Sequence, residues 1–194
     1  SLFLSRNAIE YIAPGTFIDL DEIRELFLDN NHLYTVSAGT LAGLKKLDMI
    51  RFDNNRISSI AVGVFEGAAA AQTVSISNNN LVTIVAGIFR GLSSVRRISI
   101  DHNALSFIEP GGFYGMPMLN SIDLSYNERL TSIDKDMFNL TELTSQFVMF
   151  NLEGCKLDCQ CDIDWLNEAP FTTSNAYCAT PPELSTIELP SLKC

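Results

Sequence analysis

The 194-residue sequence predicts a solenoid of stacked coils, each built from one short strand and an irregular return segment. Three observations predict it. Asparagines stand at Asn7, Asn31, Asn55, Asn79, Asn103 and Asn127, each 24 residues after the one before. Apolar positions keep the same step: Leu26, Ile50, Val74, Ile98 and Ile122 lie five before the asparagine, and Leu28, Phe52, Ile76, Ile100 and Leu124 three before it. All five cysteines (Cys155, Cys159, Cys161, Cys178 and Cys194) are confined to the C-terminal end, which predicts a separately stapled cap.

Within each coil the L-x-L alternation has period two, the signature of a strand with one buried face. The remainder carries a bulky residue (Phe17, Leu41, Phe65, Phe89, Phe113, Phe138) bracketed by glycines such as Gly39 and Gly43. It has no sustained 3.6 periodicity, so an irregular or 3₁₀ return is expected. A lone coil of this size buries too few side chains to offset the entropy of ordering it. Stacking covers its apolar edges and completes its strand hydrogen bonds. The asparagines fit that logic, because a buried amide offers two donors and an acceptor to turn backbone in its own and adjacent coils. They are predicted to form a structural ladder.

The pattern L-x-x-L-x-L-x-x-N-x-L runs from Ile23 to Leu33, Leu47 to Ile57, Val95 to Leu105 and, with Ala71 first, Ala71 to Leu81. On these residues the chain resembles the leucine-rich repeat family, in its 24-residue extracellular type. The resemblance implies an α/β leucine-rich-repeat solenoid: curved, with a parallel sheet on the concave face, an irregular or 3₁₀ convex side and a disulfide-stapled C-terminal cap. About seven repeats would occupy 1–157, and the cap 158–194. Two departures are visible. One residue is inserted after Asn127, so Leu130 takes the next core position. The last repeat then reads Phe147, Phe150, Leu152, Cys155 and Leu157, with Cys155 in the asparagine place as a buried free thiol, 28 residues after Asn127.

Spacing alone leaves the three connectivities of four cap cysteines open. The resemblance implies Cys159–Cys178 and Cys161–Cys194. It also implies a short helix over 162–168 whose Trp165 and Leu166 seal the last repeat, although Cys155-Lys156-Leu157 replaces the family's usual Asn-Pro-aromatic lead-in. Zinc is the rival ligand of clustered cysteines. The two histidines, His32 and His102, lie far from the cap in the register, so no metal is expected. Asn139-Leu140-Thr141 is an N-glycosylation acceptor sequence on the convex side of the register. At the other end Ser1 to Leu4 begins inside a strand. An uncovered solenoid end is insoluble, so the native chain is expected to continue upstream into an N-terminal cap.

The charge balance bears on function. Thirteen Lys and Arg against 23 Asp and Glu give a net charge of −10, which disfavours nucleic acid and other polyanions as partners. No apolar run approaches the roughly 18 residues of a membrane span. No Gly-rich phosphate loop joins a strand to a helix. Asp101, His102 and Ser125 fall near one another, but on an open face with nothing to exclude water. No enzyme activity and no cofactor are therefore expected. The outward positions of the strands supply the candidate contact residues. Phe3 and Phe27 are outward aromatics on adjacent strands, suited to anchor a partner. Asp29 and Asp53 are stacked carboxylates, with Asp101 two strands on, able to meet a basic ligand or share a cation. Met49, Arg51, His102 and Tyr126 complete the set. Seven strands about 4.8 Å apart make a surface wide enough for a standard protein interface. The expected function is a secreted or cell-surface module that binds a protein partner on its concave face. The alternatives are a non-catalytic subunit of a secreted heteromer and a structural matrix component.

Overall fold

The computed structural model describes residues 1–145, 147–158, 163, 165, 166, 168, 170–174 and 176–180. Eight parallel strands form the principal sheet: β1 (Leu2–Phe3), β2 (Glu25–Phe27), β4 (Met49–Arg51), β6 (Thr73–Ser75), β8 (Arg97–Ser99), β10 (Ser121–Asp123), β11 (Val148–Asn151) and β13 (Phe171–Ser174). They pair in chain order, one per coil, as the 24-residue period requires. The register is uniform: Leu26 pairs with Ile50, Ile50 with Val74, Val74 with Ile98, Ile98 with Ile122, and Ile122 with Phe150. All six central side chains are buried, so each coil's inward residue rests on the next.

The return segments carry more order than the sequence predicts. Short two-stranded parallel sheets form between β3 (Thr35–Val36) and β5 (Ser59–Ile60), between β7 (Thr83–Ile84) and β9 (Phe107–Ile108), and between β12 (Leu157–Asp158) and β14 (Cys178–Thr180). Two residues are too few for a periodicity to register. Val36, Ile60, Ile84 and Ile108 point inward from these pairs and are buried. A 3₁₀ helix, η1, spans Lys135–Met137 and is capped by the Asp134 side chain. No α-helix occurs among the described residues.

An aromatic spine backs the sheet. Phe65 meets Phe89 at 5.9 Å between ring centroids, Phe89 meets Phe113 at 5.6 Å, and Phe113 meets Phe138 at 5.4 Å. Phe138 then contacts Phe150, Phe171 and Trp165, so the spine continues past the last repeat. Ile163, Trp165 and Leu166, the described apolar residues of the expected helix, are buried there in 3₁₀ conformation. Glycine is required where coils approach most closely. A Cβ on Gly43 would lie 2.3 Å from the carbonyl oxygen of Ile18, and Gly43 holds a φ of +93°, in the left-handed region.

The ladder asparagines bridge coils as expected. Asn79 Nδ2 donates to the carbonyl of Phe52 in the preceding coil at 3.0 Å and to Ile76 and Ser77 in its own at 3.1 Å. Its Oδ1 accepts from the Ile57 amide at 2.9 Å. Asn31, Asn55, Asn103 and Asn127 repeat the arrangement, accepting from Ile9, Leu33, Leu81 and Leu105. Asn7 bonds within its own coil, to Leu4 and Ser5. Cys155 is a buried free thiol that donates to the Leu124 carbonyl at 3.2 Å.

Two expectations need correction or placing. Phe147, read as the first core residue of the last repeat, is 66% exposed, and Val148 is buried in its stead. The reason is strand alternation: β11 is four residues long, pairs Val148 with Phe171, and turns Val148 and Phe150 inward together. The pairings Cys159–Cys178 and Cys161–Cys194 rest on side chains outside the described residues.

Replacing Asn79 by Ala orphans the Ile57 amide and removes three carbonyl contacts; about 3 kcal/mol of stability should be lost in urea denaturation, and an unchanged midpoint would contradict the ladder. Burial pushes the Cys155 thiol from 9.0 up to about 11, with the nearby Asp123 charge adding to it and a backbone hydrogen bond at Asn127 opposing it. Folding thus favours the protonated thiol. Its stabilising contribution is complete below the unfolded thiol's pKa and is lost as pH rises through the folded value. Maleimide should label Cys155 slowly in the native chain at neutral pH and rapidly in denaturant, read by peptide mass.

Candidate functional site: the open face of the sheet

The candidate surface starts from the strands' alternation. Inward residues fill the core, and the residues on either side of them point out. Beyond each strand the chain turns through a residue of positive φ: Arg6, Asn30, Asn54, Asn78, His102 and Tyr126, all between 51° and 57°. This conformation costs a non-glycine residue roughly 1–2 kcal/mol. It recurs because the amide of each such residue is drawn to the next coil: Asn54 donates to Ser77 at 2.9 Å, and His102 to Ser125 at 2.9 Å. Asn tolerates the strain by its short polar side chain; Arg6, His102 and Tyr126 are held there by the stacking.

The face divides into two groups. In the N-terminal half, Phe3 and Phe27 stack almost parallel, with centroids 5.0 Å apart and planes 6° apart. Phe3 is 71% exposed. Asp29, one row away, accepts from Ser5 at 2.6 Å and from Asn30 at 2.7 Å. Partial burial opposes its ionisation, but these two hydrogen bonds, its backbone amide and the Arg51 charge together hold its pKa below the ordinary carboxylate value. Arg51 is exposed, and its Nε donates to Asp53 at 3.1 Å. Asp53 is only 5% exposed. Its other oxygen accepts from the Ser75 hydroxyl and from the Ser77 amide at 2.9 Å. The stacked pair Asp29 and Asp53 therefore lie in the expected order, but each carboxylate is bound by its own neighbours. Met49 is half-buried beside Glu25 and Thr73. It lines a shallow cleft with Glu22, Arg24 and Asp48, where Arg24 pairs with Asp48 at 3.2 Å and Lys46 with Glu22 at 2.5 Å.

In the C-terminal half, His102 Nδ1 lies 2.9 Å from Asp101 Oδ2, and the His102 ring stacks on Tyr126 with centroids 4.5 Å apart. Asp101 also accepts from Ser77. Tyr126 donates its hydroxyl to Glu153 and lies over Gly154, where a Cβ would come within 2.8 Å of the ring. Three strand spacings of about 4.8 Å, roughly 14 Å across the sheet, separate the coil of Phe27 from that of His102. The floor between is set with small hydroxyl side chains: Thr73, Ser75, Ser77 and Ser99. Among the described residues no group of three His, Cys, Asp or Glu is arranged to hold a metal ion. No helix among them is long and apolar enough to cross a membrane.

Reading the sequence missed three parts of this surface. The first is the serine set, Ser5, Ser75, Ser77 and Ser125, which orients the carboxylates; its signal was the mixing of Ser and Asp in the column from Ser5 to Ser125, with Ser75 in the column beside it. The second is β13, an eighth strand that pairs with β11 and adds Thr172 and Ser174; the aromatic and β-branched residues Phe171, Thr172 and Thr173 were the available signal. The third is the exposed apolar pair Phe147 and Met149 beside it.

The leucine rich repeat family model matches residues 1–57, 45–105, 69–128 and 94–157. No curated protein matches the chain. Among solved structures 219 chains match. One belongs to an octameric complex of Latrophilin 3 (Lec, Olf), Unc5D (Ig, Ig2, TSP1) and FLRT2 (LRR). It is 22% identical with a TM-score of 0.61, over 93% of this chain and 63% of that one. The present chain thus spans less than two thirds of that structure's length.

The hydrogen bond to Glu153 raises the pKa of Tyr126 above the ordinary phenol value, with burial and the charges of Glu153 and Asp123 acting in the same direction. In a spectrophotometric titration Glu153→Ala should bring the Tyr126 phenol back down; an unmoved titration would mean that the two side chains do not bond in solution.

Proposed function

This chain belongs to the leucine-rich repeat family, and we propose that it is a protein-binding module that holds its partner on the concave sheet. The observation that carries this reading is the Phe3–Phe27 stack, a nearly parallel aromatic pair standing outward on neighbouring strands of the sheet. A large exposed aromatic costs solubility unless a partner covers it, and it loses little entropy when it docks. Arg51, steered by Asp53, and Met49 adjoin this anchor. The His102–Tyr126 stack with Asp101 supplies a second contact group across the hydroxyl-lined floor. Asp29 faces the partner as an ionised acceptor. Because most of these side chains are already bonded to neighbours, little ordering is left to do on association.

The module acts by presentation rather than by chemistry, and it is secreted or exposed at a cell surface. The gathering of Cys159, Cys161, Cys178 and Cys194 at one end supports an oxidising compartment. The structural neighbour's place in a multi-protein complex supports a protein as partner.

The test is to screen the chain against purified ectodomains and to repeat the strongest interaction with Phe27→Ala. The dissociation constant should rise about tenfold or more, with the thermal unfolding curve unchanged. An unaltered constant would move the contact surface away from the aromatic stack.

A further inference from the structure

The sequence holds one Asn-x-Ser/Thr triplet, Asn139-Leu140-Thr141, with a non-proline residue in the middle. It falls in the coil between Asn127 and Cys155, which at 28 residues is four longer than the others. The extra length lies on the return side. Immediately before the triplet, η1 is tied to the preceding coil by Gly111 donating to Asp136 at 2.8 Å and Phe113 donating to Met137 at 2.9 Å. Phe138 turns inward, stacking on Phe113 and meeting Phe150 of the sheet in a T-shaped contact. Asn139 therefore leaves the coil with the Phe138 side chain between it and the sheet.

The local geometry suits transfer to the amide. Thr141 donates to Asn139 Oδ1 twice, from its hydroxyl at 2.7 Å and from its backbone amide at 3.2 Å. Glu142 closes the turn by donating to the Asn139 carbonyl at 3.0 Å. These bonds occupy the carboxamide oxygen and leave Nδ2 with no hydrogen-bond acceptor among the described residues. The ladder asparagines differ, since their amide nitrogens are committed to carbonyls. Leu140 is 47% exposed, and Thr141 and Glu142 are also exposed.

We infer that Asn139 is a glycan acceptor, modified on Nδ2 by an oligosaccharide from a lipid-pyrophosphate donor. In that step Nδ2 bonds to the anomeric carbon, and the bond from that carbon to the phosphate oxygen breaks. The lipid pyrophosphate leaves with the electron pair, and one Nδ2 proton passes to a base of the transferase. Nothing is oxidised or reduced. The sugar covers Leu140 and keeps the convex side hydrated, while the concave sheet stays open. The inference rests on the extracellular reading, because the donor meets nascent chains only in the secretory lumen.

The experiment expresses the whole chain behind a secretory leader in eukaryotic cells and takes the intact mass before and after N-glycosidase. One oligosaccharide is expected, its removal leaving aspartate at position 139. Asn139→Gln and Thr141→Ala should abolish it and Thr141→Ser should retain it, all with an unchanged circular dichroism spectrum. A folded, secreted wild-type chain carrying no sugar at Asn139 overturns the inference. The leader delivers the chain to the lumen wherever the natural protein resides. That result therefore leaves the extracellular reading intact, whereas recovery of the natural protein from cytosol would contradict that reading instead.

Discussion

The asparagine amide is the interaction on which the rest of this structure depends. From Asn31 to Asn127, each ladder asparagine holds a carbonyl of the preceding coil, carbonyls of its own and an amide 22 residues earlier. No other neutral side chain of that length offers two donors and an acceptor in one plane. The geometry repeats only if successive coils have equal length and superimpose. The 24-residue period is thus the spacing at which one coil's amide meets the next coil's backbone. The left-handed residue before each asparagine is a consequence, since its amide must also reach across to the following coil. Burial of the aliphatic columns supplies most of the driving force, but it is non-directional. The ladder converts it into a single register.

That fixed register is what makes the open face useful. Side chains on adjacent strands are brought side by side, so residues 24 apart act as neighbours: Phe3 with Phe27, Ser5 with Asp29, His102 with Tyr126. The carboxylates of the face are held largely by hydroxyl and amide donors, with Arg51 at Asp53 as the cationic exception. They stay oriented without having their charge cancelled. Under the proposed function, contact groups held along a rigid scaffold in this way meet a partner with little reorganisation.

The sequence was most legible where physics repeats. Strand positions, the inward columns and the asparagine ladder followed from spacing, because each is imposed by contact with an equivalent neighbour; the buried Cys155 was implied by the family resemblance. The place of Leu130 after the inserted residue followed for the same reason, and it is fully buried. Legibility failed where the repeat fails. Phe147 sits in a lengthened coil whose strand is reset by pairing with Phe171, so the expected column shifted by one. The paired strands of the return side, at two residues each, were too short to carry a period. On the open face, sequence named which side chains point outward but not which were already engaged. Asp53 reads as a free acid in the sequence, and only the structure places Arg51, Ser75 and Ser77 around it.

The central claim is that each amide locks one coil to the one before it. Native-state hydrogen exchange of the chain carrying Asn127→Ala tests it most directly, because Asn127 Oδ1 accepts from the Leu105 amide at 3.0 Å. The account predicts that the Leu105 amide loses protection selectively, while the Leu33 and Ile57 amides, held by Asn55 and Asn79, keep theirs. Unchanged protection at Leu105, or an equal loss at all three, would contradict it.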